Sequence, residues 1–115
     1  MPVSPITTHI LDTARGCPAA GVPLKIQIER NGNWTTLGEG TTNNDGRVAD
    51  LLPHDRPLET GRYRVRFETG KYFASNNIEG FYPYVEVVFE ITNTEQHYHI
   101  PLLLSPFGYS TYRGS

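Results

Sequence analysis

Cysteine is almost absent from this chain: its 115 residues include only Cys17. No intrachain disulfide can form, and a reducing compartment is compatible with that count. No apolar run approaches the ~20 residues of a membrane span, and the opening MPVSPITTHI lacks the charged and apolar regions of a secretory leader, so neither is expected. Charge is scarce as well, at 19% with a formal net charge of -2. The lysines and arginines are dispersed, so neither nucleic acid nor an anionic membrane is expected as a partner. There is no GxSxG elbow, no phosphate loop and no CxxC pair, which leaves serine-esterase and nucleotide-dependent chemistry without a motif. Internal repeats and low-complexity linkers are missing too, and residues 1–115 read as one domain. A soluble cytoplasmic protein is expected. The terminal RGS is not the SKL-type peroxisomal address, and other import routes stay open.

What is present favours strands. Seven tyrosines, five phenylalanines, eleven glycines and nine prolines punctuate short alternating segments, the pattern of an all-β sandwich. Ile6 to Asp12 reads as a strand with Thr7, His9 and Leu11 on one face and Ile6, Thr8 and Ile10 on the other. In LKIQIER, Leu24, Ile26 and Ile28 alternate with polar residues. Asn31-Gly32 then signals a tight hairpin into WTTLGEG, where Trp34 is a candidate core residue. RYRVRFE sets Tyr63, Val65 and Phe67 against Arg62, Arg64 and Arg66. YVEVVFEIT aligns Val85, Val87, Phe89 and Ile91. Between these two, Lys71 to Glu79 lacks alternation and suits one short helix. About eight strands follow, arranged as two packed antiparallel sheets.

The chemistry-bearing residues sit mainly near the C-terminus. His97 and His99 are two apart and share a strand face, although such a pair is more often a surface feature than a site. With His9 and His54 there are four imidazoles, enough for a three-histidine zinc site, but the spacing matches no zinc signature and no metal is expected. Arg47 follows the turn Asn44-Asp45-Gly46, which can hold its guanidinium fork toward a carbonyl oxygen or an anionic ring. The tail ends on two tyrosines, Arg113 and a serine carboxylate, polar groups that a packed seam would leave without partners. Cys17, in a loop between Gly16 and Pro18, reads as incidental.

Three separated segments, ITTHILDTARGCPAAG, the NNDGR turn and HYHIPLLLSPFGYSTYRGS, together resemble the 5-hydroxyisourate hydrolases, the enzyme branch of the transthyretin-like family. The resemblance spans essentially the whole chain. Its most specific element is the terminal YRGS, the tetrapeptide that separates these hydrolases from the hormone-carrying transthyretins. It implies a transthyretin-like sandwich of two four-stranded sheets with one short helix. It also implies a homotetramer, a dimer of dimers with active sites in clefts at the dimer–dimer interface. The family's catalytic positions fall on His9, Arg47, His99 and Ser115, with Arg47, Tyr112, Arg113, Gly114 and Ser115 contacting substrate. His97 is not among them, and no cofactor is implied. The implied reaction opens the six-membered ring of 5-hydroxyisourate, an intermediate of urate breakdown, to 2-oxo-4-hydroxy-4-carboxy-5-ureidoimidazoline. Water attack on a ring carbonyl requires a base, an oxyanion stabiliser and an acid, and the matched residues are of those types. A non-catalytic carrier of a small ligand on the same fold is the alternative.

Overall fold

The computed structural model describes residues 4–53 and 57–114. The chain runs β1 (Ile6–Asp12), β2 (Cys17–Pro18), β3 (Pro23–Arg30), β4 (Asn33–Thr41), β5 (Gly61–Phe67), α1 (Thr69–Ser75), β6 (Val85–Ile91), β7 (Tyr98–Ser105) and β8 (Gly108–Thr111). Two four-stranded sheets result, ordered β2-β1-β7-β8 and β4-β3-β5-β6. The expected sandwich of two four-stranded sheets with a short helix is thus realised, and the alternations read from the sequence show why. Ile6 and Ile10 of β1, Leu102 and Leu104 of β7, Leu24, Ile26 and Ile28 of β3, and Tyr63, Val65 and Phe67 of β5 all point into one buried cluster. Each such side chain contributes about 1.5–3 kcal/mol on leaving water.

One feature of the expected architecture is corrected. The second sheet is antiparallel throughout, but in the first β1 runs parallel to β7, with Ile6 opposite Tyr98 and Thr7 opposite His99. Hydrophobic alternation carries no strand direction. Only a short hairpin forces antiparallel pairing, and the chain between β1 and β7 passes through the whole opposite sheet. The consequence is functional, because the parallel register fixes which β7 side chains stand beside β1.

Trp34 is also corrected. The hairpin forms where Asn31-Gly32 signalled it, with positive φ at both residues, and pairs Trp34 with Glu29. Glu29 lies on the outer face of β3, so its cross-strand partner does too. Trp34 accordingly stays half-buried outside the core, with the Arg64 guanidinium carbon 4.3 Å from its ring centroid.

The helix starts two residues before the expected segment and is tied to the first sheet by a buried polar contact. Tyr72 Oη donates to Asp12 Oδ2 at 2.7 Å, and the Arg15 amide donates to Asp12 Oδ1 at 3.0 Å. Burial, followed by the hydrogen bond and the charge of Asp12, pushes the Tyr72 phenol up to about 12, so it remains a proton donor.

Candidate active site

The outer face of the β1–β7 pair carries the chemistry. Thr7 and His9 project from β1 on the side opposite the buried Ile6, Thr8 and Ile10. The parallel register sets His99 opposite Thr7 and Pro101 opposite His9. Thr7 Oγ1 lies 2.8 Å from His99 Nδ1 and 3.1 Å from His97 Nε2, so one hydroxyl bridges two imidazoles.

Arg47 reaches this face because its turn is built against β1. Asn43 Oδ1 accepts hydrogen bonds from the amides of Asp45 at 2.9 Å and Arg47 at 3.1 Å, an Asx arrangement that shapes the turn. Gly46 takes φ +76°, and a Cβ there would run into the Ile10 carbonyl oxygen. That closeness is used: the Ile10 amide donates to the Gly46 carbonyl at 2.9 Å, and His9 and Arg47 form an antiparallel bridge. Arg47 is exposed, and among the described residues its guanidinium has no hydrogen-bond or ion-pair partner.

An open pocket of about 430 Å³ lies here, with Thr7, Asn43, Arg47, Val48, His97 and His99 in its walls. His99 is half-buried, and burial lowers its pKa from the ordinary imidazole value, with the charges of Arg47, His97 and His9 acting in the same direction. At neutral pH it is therefore a neutral imidazole, able to accept a proton. The tail contributes at Gly114, whose amide donates to the His99 carbonyl at 2.9 Å. A Cβ at that position would stand 2.5 Å from His99 Cδ2, so only glycine lets the chain lie flat on the imidazole.

The expected site residues divide. His9, Arg47, His99 and Gly114 come together, with His97 beside them. Tyr112 and Arg113 line a separate groove of about 240 Å³ with Val88, Phe89 and Tyr98, between β6 and the last strand. There Arg113 donates to Gln96 Oε1 at 2.9 Å and stacks 4.6 Å from the Tyr98 ring centroid. Within one protomer, their side chains do not reach the histidine pocket. Ser115 and His54 lie outside the described residues. Among the described residues, no three His, Cys, Asp or Glu side chains form a set that could hold a metal ion. The residues passed over by sequence reasoning are Thr7 and Asn43. Thr7 had one available signal, its place two residues before His9 on the same face.

Comparison with known proteins bears on the family and the fold. The family model described as HIUase/Transthyretin family matches residues 6–114. A probable 5-hydroxyisourate hydrolase of Caenorhabditis elegans is 49% identical over 115 residues, covering 100% of this chain and 84% of the relative. The solved 5-hydroxyisourate hydrolase of Klebsiella pneumoniae superposes with a TM-score of 0.82 at 40% identity, covering 100% of both chains. Sea bream transthyretin in complex with thyroxine superposes with a TM-score of 0.90 at 35% identity, covering 96% of this chain and 95% of that one.

Proposed function

The chain belongs to the HIUase/Transthyretin family, and from that premise we propose that its histidine–arginine pocket is the active centre of a 5-hydroxyisourate hydrolase. The single observation that carries the mechanism is the half-buried His99, held neutral by burial and by Arg47 at the wall of an open pocket. A neutral imidazole whose Nδ1 is already bonded to Thr7 has Nε2 left for water. His99 is the general base. Water, deprotonated there, adds to the ring carbonyl, and the resulting oxyanion is stabilised by the Arg47 guanidinium, which also clamps the planar substrate. Collapse breaks the ring C–N bond, and His9 supplies the proton that the departing nitrogen needs. Ser115, the neighbour in sequence of the Gly114 that is bonded to His99, takes its role from the family resemblance: its hydroxyl holds the water or a histidine. The reaction serves urate breakdown.

Exposed sheet edges support the tetrameric assembly. Strands β6 and β8 are sheet edges, and Val88, Tyr109 and Tyr112 along them are exposed. Unpaired edges carrying apolar side chains invite pairing with a second copy. A homotetramer built as a dimer of dimers covers them and sets the open pockets in clefts between dimers, where Tyr112 and Arg113 of the assembly can serve substrate. Light scattering of the purified protein gives the stoichiometry, and a monomer at micromolar concentration contradicts this assembly.

The carrier reading draws on the likeness to sea bream transthyretin. Fold alone does not choose between carrier and enzyme. Ultraviolet absorbance of urate oxidised in situ does: a hydrolase accelerates decay of the first product, whereas a carrier leaves the rate at that of buffer. Retained turnover after separate alanine changes at His9, Arg47, His99 and Ser115 would defeat the residue assignment.

A further inference from the structure

We propose that Thr7 is a positioning residue that fixes the tautomer of His99 and couples it, through one hydroxyl, to His97. The inference rests on the hydrolase reading and adds two residues to it. Its ground is a constraint of valence. Thr7 Oγ1 is within hydrogen-bond distance of His99 Nδ1, at 2.8 Å, and of His97 Nε2, at 3.1 Å. A hydroxyl has one proton to donate, so it donates to one ring and accepts from the other. The two imidazoles are therefore not independent. If His99 Nδ1 carries a proton and donates it to Thr7, Thr7 donates to His97 Nε2, and His99 Nε2 is left with a bare lone pair. That is the arrangement a general base at His99 requires.

The same contact holds through turnover. When His99 Nε2 takes the proton of water, Nδ1 keeps its proton and its hydrogen bond to Thr7 Oγ1, and the proton leaves again from Nε2, so the starting tautomer returns in every cycle. That proton replaces the one that His9 gives to the ring nitrogen, and the new carboxylic acid loses its proton to water, so hydrolysis releases one proton per turnover. The groups that bear on His99 are Arg47 from the turn, His97 from its own strand end and His9 from β1. From the tail, Gly114 brings only backbone.

The test compares the isosteric Thr7→Val, which lacks the hydroxyl, with Thr7→Ser, which keeps it. Imidazole ¹⁵N shifts of His99 near neutral pH, read without substrate, are expected to report one Nδ1–H tautomer in the wild type and in Thr7→Ser and a mixture in Thr7→Val. In turnover of 5-hydroxyisourate, Thr7→Val should lose about tenfold in kcat, the worth of one net hydrogen bond, with KM unchanged and Thr7→Ser restoring the rate. His97→Phe, which removes the far partner on an exposed residue, should also release the His99 tautomer and covers the case in which Thr7→Val does not fold. A wild-type tautomer and rate in both Thr7→Val and His97→Phe would overturn the proposal, as would equal impairment of Thr7→Ser and Thr7→Val. Absence of turnover in the wild type would instead defeat the hydrolase reading, and the tautomer measurement would still judge the linkage.

Discussion

The outer faces of the two sheets both carry cationic side chains, and they treat them in opposite ways. On the β3–β5–β6 face, Arg62 pairs with Glu90 at 3.1 Å and Glu29 at 3.7 Å, while Arg64, beneath Trp34, donates to Gln27 at 2.8 Å and pairs with Glu86 at 3.5 Å. Arg66 pairs with Glu68 at 2.6 Å and Glu86 at 3.3 Å, with Tyr84 3.6 Å beneath it. Every arginine of that ladder is neutralised within the fold. On the β1–β7 face, Arg47 has no such partner among the described residues, and its charge bears on His99 together with those of His97 and His9. Carboxylates at cross-strand positions turn the first face into a solvated support. Without such a pairing among the described residues, Arg47 leaves the second able to attract an anion and to keep an imidazole neutral.

Several changes would break or sharpen this contrast. The largest effect is expected from removing residues 112–115, which takes Gly114 off His99 and removes Ser115. Turnover should become undetectable while the circular dichroism of the sandwich persists, and a folded, fully active truncation would contradict the assignment. Next, His99→Ala should lower kcat by about 10²–10⁴, the usual range for a lost general base. Arg47→Ala should cost about 10²–10³ in kcat if its guanidinium meets the oxyanion. On the opposite face, Arg64→Ala should leave turnover unchanged and lower unfolding free energy by about 1 kcal/mol, as expected for a partly exposed charge pair with an aromatic contact. A comparable loss of turnover at Arg64 would erase the distinction between the two faces.

The ladder face was largely legible in the sequence, and the pocket only in part. Arg62, Arg64 and Arg66 alternate with buried residues, so their face could be read from a seven-residue window, and Asn31-Gly32 announced the hairpin. The conformation of a local segment is set by local side chains. Trp34 escaped because an aromatic beside a turn fits either side of a sheet until its partner, Glu29, is known. The direction of β1 against β7 escaped for a related reason, and with it the Thr7–His99 contact, whose two groups lie far apart in the chain. His9, Arg47 and His99 were assigned through family resemblance, since spacing alone left the His97–His99 pair ambiguous. No local pattern tells that Arg113 turns toward Tyr98 and Gln96 while the adjacent Gly114 packs on His99.

The central claim is that an unpaired Arg47 helps burial keep His99 neutral, and hence basic. It is tested most directly by the pH dependence of kcat/KM for 5-hydroxyisourate in the wild type and in Arg47→Gln. A base must be unprotonated, so activity should fall on acidification through the pKa of His99, which burial and Arg47 place below the ordinary imidazole value. In Arg47→Gln the residual activity should lose its acid limb at a higher pH, because the neighbouring positive charge is gone. A limb that stays at the same pH in both proteins would contradict the account.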